Sequence, residues 1–209
     1  MSRSVLLHRG AEALITRTEW RGRAAVDKHR VAKAYRHPRL DGDLRRARLR
    51  TEARLFGEAR RLGVSVPILY DVDPKENRLV MEYIEGPRMK EALEDQPGGG
   101  AELGRRLGEV IGRLHGGDLI HGDLTTSNMI LRGEEIVLVD FGMGERSTEL
   151  EAKGVDFHLF QEALRSAHAA VDDLLDAVLE GYRSTYPRAD EVVAKAEEIE
   201  KRGRYQRAS

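Results

Sequence analysis

In Ile120-His121-Gly122-Asp123-Leu124-Thr125-Thr126-Ser127-Asn128 an aspartate precedes an asparagine by five positions, and twelve residues later Asp140-Phe141-Gly142 closes an apolar run. These residue types suit metal-assisted phosphoryl transfer. ATP carries phosphate charge that Mg2+ neutralises; an amide oxygen and a carboxylate can hold the metal, and a second carboxylate can orient the attacking hydroxyl. The spacing assigns Asn128 and Asp140 to Mg2+ and Asp123 to the hydroxyl. Singly, Asp123 could cap a helix or turn and Asp140 could end a strand, so it is the joint pattern that points to catalysis. His121 reads as packing and hydrogen bonding beneath the loop, because the other six histidines supply no metal-ligand spacing with it.

The elements that must position these groups follow from periodicity. Strands over 129–131 and 136–139, joined by Arg132-Gly133-Glu134, form a hairpin that would return Asn128 and Asp140 to one place. Upstream, strand chemistry at 5–7, 13–15 and 24–26 precedes a run over 43–62. There Leu44, Ala47, Thr51, Leu55, Ala59 and Leu62 recur every three or four residues, an arginine-coated helix closed by Gly63. Two more strands, 66–72 and 79–84, flank the reversal Asp73-Pro74-Lys75-Glu76-Asn77. Beyond Glu85-Gly86-Pro87 come a short helix over 89–93, the loop Gln96-Pro97-Gly98-Gly99-Gly100, and helices near 103–114, 155–167, 171–182 and 189–201.

That order supplies further candidates. Lys28, ending the strand Val26-Asp27-Lys28, could reach the α- and β-phosphates, and Glu52, on the helix side shared with Leu55, Phe56 and Ala59, could hold it by an ion pair. A lone lysine and glutamate among so many charges are ordinarily solvated surface, so only the order of elements singles them out. Met81-Glu82-Tyr83-Ile84 is either a plain strand end or the exit where backbone groups of Glu82 and Ile84 pair with adenine.

Composition narrows the class. The 209 residues amount to 23.5 kDa, one domain of two lobes or two small domains. At 40% hydrophobic and 34% charged the chain is too apolar for disorder, and no run approaches the roughly 20 apolar residues of a spanning helix. The absence of cysteine excludes disulfides, thiolate catalysis and cysteine-ligated metals. The N-terminus lacks an apolar signal core, which predicts a cytoplasmic protein with no membrane contact. The net charge of −1 conceals an asymmetry: residues 1–66 carry 17 Lys or Arg against 7 Asp or Glu, and the remainder 18 against 29. A basic segment of that size suits nucleotide phosphate, RNA or an acidic protein, although charge-coated helices are commonly just solvated.

Five stretches together resemble the small atypical kinase subunit of the KEOPS tRNA-modifying complex, over about residues 10–163. They are Gly10-Ala11-Glu12-Ala13, Lys28-His29-Arg30-Val31-Ala32-Lys33-Ala34-Tyr35-Arg36-His37-Pro38, Arg50-Thr51-Glu52-Ala53-Arg54, the run His121 to Asn128, and Val155-Asp156-Phe157. The resemblance implies an α+β, minimal bilobal protein-kinase-like fold in a single domain. Its β-rich N-lobe of about 1–84 would carry one long helix, a reduced helical C-lobe would span about 88–202, and a basic tail 201–209 would follow. It implies ATP and Mg2+ as cofactors and serine/threonine kinase or ATPase activity in tRNA threonylcarbamoyladenosine synthesis. The site would comprise Lys28 and Asp123, with Glu52, Asn128 and Asp140, the nucleotide loop Gly10, Ala11, Glu12 and Ala13, and the hinge Met81, Glu82 and Ile84. The implied partners are the tRNA threonylcarbamoyl transferase subunit and other KEOPS subunits. The basic tail itself reads either as a solvated terminus or, with the basic helix, as a tRNA contact in which Tyr205 could stack on a base.

Several positions depart from the usual kinase pattern. Gly10 stands alone where protein kinases use Gly-x-Gly-x-x-Gly, which shifts phosphate binding toward basic side chains. Gly122 replaces the arginine that an activation-loop phosphate would clamp, and Thr125 stands where a phosphate-facing lysine is common. No Ala-Pro-Glu follows Asp140, and 67 residues after Gly142 leave no room for a peptide-docking platform, so the acceptor is expected to be the chain itself, a partner or water. Alternatives are a small-molecule phosphotransferase of the aminoglycoside or choline kinase type, which would need an added helical domain, and a pseudokinase-like scaffold. A RIO-type kinase is nearer, but its metal loop usually lacks Asp-Phe-Gly.

Overall fold

A computed structural model describes residues 4–10, 12–94, 100–167 and 171–207. Ala11 and most of the expected glycine-rich loop lie outside these, and for 167, 171, 172 and 204–207 only the backbone is described. Five strands, β1 (Val5–Arg9), β2 (Ala13–Trp20), β3 (Arg23–Arg30), β4 (Leu69–Asp73) and β5 (Arg78–Glu82), form an antiparallel sheet in the order β1-β2-β3-β5-β4. The β2–β3 hairpin turns on Arg21 and Gly22, both at positive φ (49° and 80°), the twist a two-residue turn requires. The β4–β5 reversal is held by Asp73, whose Oδ1 accepts the Lys75 and Glu76 amides at 2.9 and 3.1 Å.

Helix α1 (Pro38–Arg61) crosses this sheet with Leu49, Glu52, Leu55, Phe56 and Ala59 buried. It begins earlier than the apolar period predicts. Pro38 suits the first turn, where no amide is needed, and Asp41 there complements the helix dipole. The other half of the molecule contains α2 (Met89–Glu94), α3 (Gly100–Gly116), α4 (Leu150–Ala167), α5 (Val171–Thr185) and α6 (Ala189–Arg207). Helices α3 and α5 touch main chain to main chain: a Cβ on Gly108 would stand 1.9 Å from the Val178 carbonyl oxygen, and one on Gly181 1.8 Å from that of Arg105. The segment expected as a tail continues α6 to Arg207, with Arg202 paired to Glu151.

Among these helices lie two small pairings, β6 (Leu119–Ile120) with β9 (Glu145–Arg146) and the hairpin β7 (Met129–Arg132) with β8 (Glu135–Leu138). The hairpin is tied to the connector between the halves and to the segment between α1 and β4. Leu131 N donates to the Pro87 carbonyl at 2.9 Å, and Leu138 N donates to that of Ser65 at 2.9 Å. Gly86 sits at φ 149°, where a Cβ would meet the Leu131 carbonyl oxygen at 2.1 Å. A single apolar cluster runs from Leu55, Phe56 and Leu79 through Met129 and Phe141 to Phe157 and Tyr182. Among the described residues no helix is long and apolar enough to cross a membrane.

Candidate active site

Sheet and helical half meet at a cleft of about 580 Å³. Gly10, Glu12, Ala13, Ile15, Lys28 and Arg30 line one side, and Arg88, Asp123, Thr125, Ser127, Asn128 and Asp140 the other. Lys28 lies in β3 opposite Ile15 of β2 and Leu79 of β5, so the centre of the sheet fixes its direction. Its Nζ is 2.6 Å from Glu52 Oε1 and 2.7 Å from Asp140 Oδ2. Burial alone would pull this ammonium down, but the two carboxylates outweigh it and hold its pKa above the usual lysine value. Glu52 is fully buried, and its Oε2 accepts Arg30 Nη2 at 2.5 Å. The ion pair expected between Lys28 and Glu52 is thus in place, extended by Asp140 and Arg30.

The loop carrying Asp123 is held from below by Asp156 of α4. The amides of His121 and Gly122 donate to its two carboxylate oxygens at 2.8 Å each, and the His115 ring meets it at 3.3 Å. His115 is steadied in turn by the Tyr182 hydroxyl at 2.7 Å. Burial would raise the Asp156 pKa, but His115 and the loop amides hold it below the ordinary carboxylate value. Gly122 takes φ 76°, and a Cβ there would lie 2.2 Å from the Met143 carbonyl oxygen, so no side chain fits where protein kinases carry arginine. The His121 ring packs 4.8 Å from Phe141, whose edge meets Phe56 of α1 at 5.4 Å. Its Nδ1 accepts the Asp123 amide at 3.3 Å, the role beneath the loop that its lack of ligand spacing implied. Burial, opposed by Asp156, Asp140 and Asp123, lowers its pKa and favours the neutral imidazole.

The donors expected to hold Mg2+ fit it. Asn128 Nδ2 donates to the Asp123 carbonyl at 2.9 Å and to its Oδ2 at 2.8 Å, which leaves the amide Oδ1 as a hard oxygen donor. Asp140 accepts the Gly142 amide at 2.6 Å; burial raises its pKa, but Lys28 and that amide hold it below the usual value, so it is ionised at neutral pH. Among the described residues no group of three or more His, Cys, Asp or Glu could hold a metal unaided. Two protein oxygens suit Mg2+, which keeps waters and takes its remaining ligands from phosphates.

Of the predicted site residues, Lys28, Glu52, Asp123, Asn128 and Asp140 come together, and Gly10, Glu12 and Ala13 roof the cleft. Ala11 lies outside the described residues. Met81 and Ile84 are buried, and Glu82 donates its amide to the Ile68 carbonyl at 2.8 Å and accepts Arg132 at 3.0 Å; the lining of the cleft does not include these three. Sequence reasoning missed Arg30 and Asp156 as supports. Arg30 had a signal, since residues two apart on a strand share a face, here the face of Lys28. Asp156 had none beyond its place in Val155-Asp156-Phe157.

The RIO domain family model matches residues 15–151. The KEOPS complex subunit Bud32 of Pyrococcus abyssi is 41% identical over 98% of this chain and 97% of its own length. The probable bifunctional tRNA threonylcarbamoyladenosine biosynthesis protein of Methanothermobacter thermautotrophicus is 45% identical over 96% of this chain, which spans 36% of that relative's length. Among solved structures, the Rio2 kinase-ADP/Mg2+-phosphoaspartate complex from Chaetomium thermophilum superposes with a TM-score of 0.65 at 18% identity, covering 96% of this chain and 71% of that one. WaaP in complex with acyl carrier protein gives 0.63 at 14%, covering 96% and 89%. The family match includes Asp140-Phe141-Gly142, so that tripeptide does not set the chain apart from RIO-type kinases as its sequence suggested; Phe141 serves here as a wedge between Phe56 and His121. Matched along its whole length by a Bud32 subunit and over most of it by the RIO domain, the chain belongs to the RIO-domain family of atypical kinases, of the Bud32 type.

Proposed function

We propose that this chain is an ATP-dependent atypical serine/threonine kinase and ATPase, a single two-lobed domain acting in the cytoplasm as a KEOPS subunit in tRNA threonylcarbamoyladenosine synthesis. The observation that carries the reading is the meeting of Lys28, Asp123, Asn128 and Asp140 at one cleft. Lys28 engages the α- and β-phosphates while Glu52 keeps it aligned; Asp123, steadied by the Asn128 amide, orients the attacking hydroxyl or water. Mg2+, held by Asn128 Oδ1 and Asp140, supplies charge neutralisation on the phosphates. Gly10, Glu12 and Ala13 cover the nucleotide, and Met81, Glu82 and Ile84 form the hinge beside adenine.

The names of the relatives support a place among KEOPS subunits in tRNA threonylcarbamoyladenosine biosynthesis, and the bifunctional ones carry a similar stretch within a longer chain; the neighbour assigned to it there is the tRNA threonylcarbamoyl transferase subunit. Contact with tRNA is assigned to α1 and to the end of α6. Much of the α1 charge is used inside the protein, Arg45 on Asp41, Arg46 on Asp43 and Arg48 on Glu12. Arg39, Arg50, Arg54 and Arg61 are exposed and, at 3.6 residues per turn, share one face. The test is γ-phosphate release from Mg-ATP, and labelling, by the chain alone and with the transferase subunit and tRNA. Stimulation by that pair is expected, and Asp123→Asn or Asp140→Asn should abolish release while circular dichroism is retained. Unchanged turnover in both variants refutes the assignment; phosphate transfer to an aminoglycoside or choline, or nucleotide binding without turnover, replaces it with the small-molecule or scaffold reading.

A further inference from the structure

Lys28 is committed twice, to Glu52 and to Asp140, before any phosphate arrives. One ammonium shared between two carboxylates, and needed by a phosphate as well, does not fully compensate Glu52, a completely buried carboxylate, and an under-compensated buried charge is strongly unfavourable. Arg30 supplies a second counter-ion. It is 3% exposed, lines the same cleft, and its guanidinium bridges two carboxylates: Nη2 meets Glu52 Oε2 at 2.5 Å and Nη1 meets Glu12 Oε2 at 3.5 Å. Its Nε is buried with no partner among the described residues, and these two carboxylates are its ion-pair partners there. Glu12 belongs to the loop over the nucleotide, and it also pairs with Arg48 of α1, while its carbonyl accepts the Val31 amide at 3.2 Å. Burial opposes ionisation of Glu12, but its bond to Arg48 prevails and holds its pKa below the usual value.

We propose that Arg30 is a positioning residue with two tasks: it shares the charge of Glu52, so that Lys28 can serve phosphate while Glu52 keeps it aligned, and through Glu12 it ties the nucleotide loop to α1. This rests on the ATP-dependent reading above. A loop with one glycine cannot hug phosphates by its backbone, and an alternating row of charges, Arg48, Glu12, Arg30, Glu52, Lys28 and Asp140, holds it instead. Lysine cannot replace Arg30, since one ammonium does not span both carboxylates in fixed geometry.

The test uses the full chain with two readouts. In Mg-ADP titration and ATP turnover, Arg30→Met should lower affinity and kcat at least tenfold. Arg30→Lys should raise KM for ATP by a larger factor than it lowers kcat. In a Glu52→Gln background, with no carboxylate left there to share, Arg30→Met should lower kcat by a smaller factor than in the wild-type chain, while the loss through Glu12 persists in KM; equal kcat losses in the two backgrounds overturn the first task. The second readout is hydrogen exchange at the Val31 amide, which needs no nucleotide and should accelerate in Arg30→Met. Unaltered exchange overturns the tie to Glu12. A wild-type chain that neither binds nor turns over Mg-nucleotide refutes the ATP-dependent reading, and the exchange result then decides the tie by itself.

Discussion

Asp156→Asn removes one charge and almost no volume from beneath the loop that carries Asp123. Asp156 is buried and gives one oxygen each to the His121 and Gly122 amides. Asparagine offers a single oxygen, so one of these amides faces an NH2 group. The loss of a charge-assisted bond, about 1.5–3 kcal/mol, adds to the roughly 1–3 kcal/mol of a buried unsatisfied donor. A total near 3–5 kcal/mol is a large share of the about 5–15 kcal/mol that holds a domain folded. With a urea m-value of about 2.5 kcal/mol per molar, the unfolding midpoint should fall by about 1–2 M, and kcat should fall with it because the shifted amides adjoin Asp123. The pH dependence gives a second check. The native pKa of Asp156 is depressed, so its contribution is present above the unfolded carboxylate value of about 3.9 and is lost as pH falls through the native value. The variant should therefore show a shallower acid limb of stability. A midpoint shift under about 0.3 M with kcat retained within about twofold would refute the reasoning.

Gly122→Ala forces a Cβ onto the Met143 carbonyl at a positive φ; a loss above about 2 kcal/mol and a large drop in turnover are expected, checked by urea melts and phosphate release. Gly108→Ala pushes α3 from α5 at the Val178 carbonyl, far from the nucleotide, and should cost about 1–3 kcal/mol while KM for ATP holds; a variant as stable as wild type contradicts the close approach. His121 is kept neutral by burial, so turnover should show no imidazole limb near pH 6.5 that disappears in His121→Gln. Phe141→Leu loosens the contact between Phe56 and His121 and should lower the melting temperature by several degrees, about 1–2 kcal/mol of packing.

The hairpin that brings Asn128 back to Asp140 was legible because its apolar runs and Arg132-Gly133-Glu134 are local signals. The pairing of Lys28 with Glu52 was legible from the order of elements, with no measure of distance. Boundaries slipped where apolar period and chain geometry part: α1 begins at Pro38, and α4 begins at Leu150 rather than near 155, because helix starts depend on caps and docking as well as on stripes. The two-residue pairing of β6 with β9 is too short to carry a period. Asp156 and His115 were invisible because their roles join residues 34 to 67 positions apart. Gly104, Gly108 and Gly112 did carry a signal, a glycine every four residues, which marks a helix face open to close approach.

The hydrogen bonds that tie the β7–β8 hairpin to Pro87 and to Ser65 also limit where the chain can bend between the two halves. The connector is clamped to the hairpin from Pro87 onward, and Gly86 lies against the Leu131 carbonyl, so bending falls on Tyr83, Ile84 and Glu85. Gly10 and Met143 line the cleft from the two halves that meet there, so a turn about these three residues changes the width of the cleft.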